Sequence, residues 1–162
     1  MTIRRSCAMI YPYTAMVYYL AGGYCTIVEQ TDIAMRLTLH LPFDTALTRV
    51  KDALKTQGFG VMSEIDVQEA MRQKLGVDFR RYIILGVCNP PLAHRAFHAN
   101  LEAGLLLPCN VIVYEDEGAV QVAIADPLAM VRLMDHPDFR ELAGEARGKL
   151  LEALRILEQR LS

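Results

Sequence analysis

The stretch YIILGVCNPPLAHRAFH, residues 82–98, decides how this chain is read. Its first seven residues are apolar on both faces, as an interior strand requires. Two prolines follow, and then Ala93, Ala96, Phe97 and Leu101 recur at helical spacing. Proline is tolerated in a helix only in its first turn, and it biases the residue before it away from helical angles. The expectation is therefore a strand ending at Cys88 and a helix whose first position is Pro91. The positive end of that helix would lie near the Cys88 sulfur, where it favours a thiolate of lowered pKa.

Working outward, "MRLTLHL" (35–41) alternates, with Met35, Leu37, Leu39 and Leu41 on one face of a half-buried strand. Phe43, Ala46, Leu47, Val50 and Leu54 mark an amphipathic helix that Gly58 closes. "FGVMSEI" reads as a second strand, and Asp66 with Glu69 as the start of a short helix ending near Gly76. "NVIVYEDEGAVQVAIA" (110–125) reads as a hairpin turning at Asp116, Glu117 and Gly118. Asp126 and Pro127 cap a short helical segment. The last helix carries Phe139, Leu142, Ala143, Ala146, Leu150, Leu154, Leu157 and Leu161 on one stripe, and Gly144 and Gly148 suggest close packing beside it. This order lacks regular strand–helix alternation, so the fold class is α+β: a mostly antiparallel sheet covered by helices.

The 162 residues suit one domain, and 52% hydrophobic content suits a packed one. A net charge of −2 supplies no cationic face, which argues against nucleic acid as a partner. Residues 6–28 carry no charge and follow Arg4 and Arg5. They are compatible with a membrane anchor, a signal peptide with Ala21, Gly22 and Gly23 at its cleavage region, an extension preceding a natural start at Met35, or a true part of the fold. The domain division is an apolar extension over 1–34 and a single α+β domain over 35–162. Cytoplasmic location is expected unless 6–28 anchors or exports the chain.

Cys88 and Cys109 are the candidate site, because each begins or ends a strand; neighbouring strands would place both sulfurs at one sheet edge. His94 and His98 are four apart and share a helical face. Cys88, Cys109 and His94 form a candidate metal set, although the intervals match no zinc signature. Buried structural thiols and a redox thiol are the competing readings. Leu105, Leu106 and Leu107 should pack beneath a partner, a ligand or the chain's own core. Arg80, Arg81 and Arg95 offer an anion site at the helix start or a solvated surface. No paired carboxylates, nucleophile elbow, phosphate loop or HExxH motif occurs, so no enzyme class and no cofactor is assigned.

The run from "GFGVMSEI" through "VCNPPLAHRAF" to "GLLLPCNVIVYEDEG" resembles the domain-of-unknown-function family 302. Its most specific segments are Cys88-Asn89-Pro90 with Ala93, and Leu107-Pro108-Cys109-Asn110. The resemblance implies a two-layer β-α-β(4)-α sandwich and a homodimer. It also places Cys88 and Cys109 in the two signature segments, so any shared site would include them; the expected ligand-binding residues are Cys88, Asn89, His94, Cys109 and Asn110. Three functions compete: a module binding a small molecule or metal ion, an interaction dimer without chemistry, and a thiol-based redox protein.

Overall fold

In a computed structural model, residues 15–21, 24–133 and 137–159 are described. The strands are β1 (Ala15–Ala21), β2 (Tyr24–Gln30), β3 (Ala34–Leu39), β4 (Gly60–Asp66), β5 (Tyr82–Cys88), β6 (Cys109–Asp116) and β7 (Ala119–Ala125). The α-helices are α1 (Phe43–Thr56), α2 (Val67–Leu75), α3 (Pro90–Ala99), α4 (Pro127–Met130) and α5 (Pro137–Gln159). Among the described residues the strands make one seven-stranded sheet in the order β1-β2-β3-β7-β6-β5-β4, and every pair is antiparallel. From β3 onward the order is strand, helix, four strands and a closing helix, with α2, α3 and α4 as inserts, which is the expected sandwich.

Alternation decides which face is covered. Met35, Leu37 and Leu39 of β3, Leu85 and Val87 of β5, and Val111 and Val113 of β6 are buried on one face. Val50 and Leu54 of α1 and Leu150 and Leu154 of α5 close over them in a single core. Each such leucine is buried almost completely, which stabilises by about 2 kcal/mol. The other face carries Tyr82 stacked on Tyr114 at 5.2 Å, and the Thr38 hydroxyl donating to Gln121 Oε1 at 2.9 Å.

Local chemistry fixes the joins. The Asp66 carboxylate accepts from the Glu69 N–H at 2.9 Å and starts α2. Gly58, at φ +79, leads the chain out of α1. Glu117 (φ 49) and Gly118 (φ 80) both adopt positive φ between β6 and β7, as a tight right-twisted hairpin needs. Asp126 stands at the N-terminus of α4, and its carboxylate accepts from Leu128 N–H at 2.9 Å. The same group accepts from Arg147 Nε at 3.0 Å and Gln30 Nε2 at 3.2 Å. Arg147 Nη2 also donates to Gln30 Oε1 at 2.9 Å. One buried carboxylate thus ties β2, α4 and α5 together.

Several expectations are corrected. The described part of 6–28 is paired in strands and not in a membrane-spanning helix. Its tyrosines and β-branched residues favour strands, and β1 pairs with β2 along the whole of both. No helix among the described residues is long and apolar enough to cross a membrane. Residues 6–14, like Leu161, lie outside the described set. Gly144 and Gly148 face open space, so no close packing accounts for them. The three arginines do not gather: Arg80 pairs with Asp116, Arg81 with Asp44, and Arg95 with Glu141 and Glu145. Of the leucine triplet, Leu107 packs into a smaller core while Leu105 is 85% exposed.

A candidate ligand cavity at the end of the sheet

The helix α3 begins one residue earlier than expected, at Pro90. Asn89 overrides the bias of the second proline by capping: its Oδ1 accepts from Leu92 N–H at 3.3 Å, and its Nδ2 donates to Gln57 O at 3.3 Å. Asn89 is buried and both ends of its amide are engaged, so it positions α3.

This start also undoes the expected acid thiol. A helix N-terminus is positive because its first N–H groups are unsatisfied. Here Pro90 and Pro91 have no N–H, Leu92 N–H is capped, and Ala93 N–H is bonded to Asn89 O at 3.0 Å. Burial then dominates. It pushes the Cys88 thiol up. Burial, followed by the repulsion of a charge on Cys88, pushes Cys109 up to about 11. Both thiols are protonated at neutral pH, the opposite of the expected nucleophile.

The two cysteines do come to one sheet edge. Cys109 lies opposite Val87, one residue before Cys88, on neighbouring strands. Both are free thiols. Alternation turns Cys109 toward the core face with Val87 and Val111, and Cys88 away from that face. His94 is exposed on α3, and its Nε2 stands 3.1 Å from His98 Nε2. It takes no part in lining the space that both cysteines border. The set Cys88, Cys109 and His94 is therefore not assembled, and among the described residues no three metal-binding side chains are grouped.

What the edge does hold is a cavity of about 290 Å³. Leu92, Ala93 and Ala96 of α3 form one wall, and Phe139, Leu142 and Ala143 of α5 form the facing one. Pro127 and Met130 of α4 close one side, and Ala103 to Pro108 close another. Cys88, Asn89, Cys109 and Asn110 supply the polar margin. Among the described residues no charged one lines it. Asn110 is exposed, and its amide has no partner among the described residues, so it is the free polar hand of the site. The volume is at the small end of ligand sites, whose walls are mostly apolar with a few placed polar groups. Ala93 and Ala96 lie on the expected packing stripe, and their small volume is what leaves the space.

The thiols carry a direct test. With iodoacetamide at pH 7.4, Cys109 is expected to alkylate at least about a hundredfold more slowly than a free thiol, and Cys88 at an intermediate rate. A thiol whose pKa is raised by folding stabilises fully below its unfolded value near 9, and this is lost as pH rises through about 11. Denaturant midpoints should therefore fall between about pH 9 and 11 in the native chain and less so in Cys109→Ala.

The family described as domain of unknown function DUF302 matches residues 35–157. A similar solved structure is the crystal structure of an uncharacterized conserved DUF302 protein from Bacillus stearothermophilus. The two share 31% identity and a TM-score of 0.71, over 76% of this chain and 96% of that one. No curated protein matches.

Proposed function

The chain belongs to the DUF302 family, and from that premise we propose that it is a binding module for a small, uncharged, largely apolar molecule. The observation that supports this is that, among the described residues, no charged side chain lines the cavity. A phosphate, carboxylate or ammonium placed there would lose its hydration without gaining a counter-charge, at a cost of several kcal/mol. An apolar ligand gains burial on both helical walls, while Asn110 and the neutral Cys88 thiol offer hydrogen bonds to one polar end.

A matched pair of fluorescent probes tests it. A neutral phenyl-naphthylamine should bind the full chain at one site. Its sulfonated analogue should bind at least about tenfold more weakly, a difference of about 1.4 kcal/mol. Equal affinity for the anion would contradict a site without cations.

A second reading, self-association, has separate support. The margin strand β4 is exposed along its whole length, and α2 buries none of its residues. Met62 and Ile65 of β4, Leu75 of α2, and Val77 and Phe79 just after it are exposed. An open strand edge beside apolar side chains favours pairing with a second copy. Sedimentation of the full chain should then give a dimer that Met62→Glu dissociates, and a monomer at micromolar concentration would remove this reading.

A further inference from the structure

The pair His94 and His98 stands outside the cavity and is left unused by it. Both rings are exposed on α3, on the side away from Leu92, Ala93 and Ala96. Their centroids are 4.4 Å apart with the rings at 78°, and the two Nε2 atoms are 3.1 Å apart. The two Nε2 atoms stand within hydrogen-bonding distance, so both rings present Nε2 to the same small gap.

That spacing matches a chelate. Bonds of about 2.0–2.1 Å to one metal ion place two cis nitrogens about 2.9 Å apart at a right angle, and about 3.4 Å apart at a tetrahedral angle. The observed 3.1 Å lies between these, so the nitrogens are already at chelating separation, and binding would turn both rings until their lone pairs converge on the ion. Arg95, between the two histidines in sequence, does not place its charge over the gap. Its guanidinium is held by Glu145 at 2.7 Å and Glu141 at 3.1 Å on α5. No third protein ligand is grouped with the pair among the described residues, so water would complete the coordination.

We propose that His94 and His98 form a surface two-imidazole site for a borderline divalent transition ion of the Ni²⁺ and Cu²⁺ type. Imidazole nitrogen favours these ions over Mg²⁺ and Ca²⁺, which take oxygen ligands. Ligation across one helical turn also fixes the second half of α3, which forms a wall of the cavity.

Ni²⁺ titrated calorimetrically into the untagged full chain tests this, since Ni²⁺ does not oxidise the thiols. One ion per chain is expected to bind. His94→Ala and His98→Ala should each weaken it at least tenfold, and the double variant should abolish it. His40→Ala and the Cys88→Ser/Cys109→Ser double variant should bind as the wild type does. Ni²⁺ should raise the thermal midpoint of the wild type and leave that of the double histidine variant unmoved. Absence of binding by the wild type, binding that survives loss of both histidines, or binding that is lost with the cysteines would each overturn the assignment.

Discussion

Replacing Asp126 by alanine is expected to cost about 3 kcal/mol of folding stability, the largest single loss proposed for this chain. The carboxylate is buried, with its side chain only 6% exposed, and it accepts from Arg147, Gln30 and Leu128 N–H at once. Its removal strands the guanidinium of Arg147, whose side chain is 22% exposed, and uncaps α4. Breaking a fully buried ion pair costs about 3–5 kcal/mol, and the partial exposure of Arg147 argues for the lower end. Asp126→Asn keeps an acceptor for Leu128 N–H and should cost less. In thermal unfolding the alanine variant should melt about 6–12 °C below the native chain. A loss under about 1 kcal/mol would mean that the network is solvated in practice and does not tie β2 to the body of the fold.

Gly86 is the second position where a single atom matters. It sits inside β5, where glycine ordinarily weakens a strand. A Cβ built there would lie 2.8 Å from Pro108 Cγ and 2.4 Å from Ser63 Oγ. The serine hydroxyl can turn aside, but the proline ring is held in the segment that leads into Cys109. Gly86→Val should therefore destabilise by about 2–3 kcal/mol through overpacking, and Gly86→Ala by somewhat less. The penalty should shrink in a Pro108→Ala background, because the two residues are in contact and their effects are not additive. If Gly86→Val costs the same with and without Pro108, the clash is not what the site enforces. The same variant displaces the margin of the cavity, so its dye affinity should fall along with its stability.

The parts of the fold that were legible in the sequence are those where one local rule acts alone. The alternation of Met35, Leu37 and Leu39, the cap at Asp66 and the turn at Glu117 and Gly118 each depend on neighbours close in the chain. The strands at 15–30 are less legible because an uncharged run suits an anchor as well as a strand, and only its tyrosine and β-branched content favours the strand. The start of α3 shifted because Asn89 reaches Gln57, a contact 32 residues distant that no local proline rule contains. The thiol chemistry reversed for a related reason. The helix-dipole rule fails at Cys88 because two prolines remove the donors that carry the positive end, whereas burial depends on the whole fold. The juxtaposition of Cys88 with Cys109 was legible from strand ends. The cavity was not, since a void is defined by the side-chain volume that Ala96, Ala103 and Ala143 do not supply.

The central claim is that this void is a receptor for an uncharged molecule. Ala96 is 8% exposed and faces the cavity from the middle of α3, where a leucine would occupy the space a ligand needs. The most direct measurement is titration of the neutral phenyl-naphthylamine into Ala96→Leu beside the native chain, with thermal unfolding recorded on the same samples. The account predicts that the variant folds cooperatively and loses at least tenfold in dye affinity. A folded Ala96→Leu chain that binds the dye as tightly as the native one would contradict it.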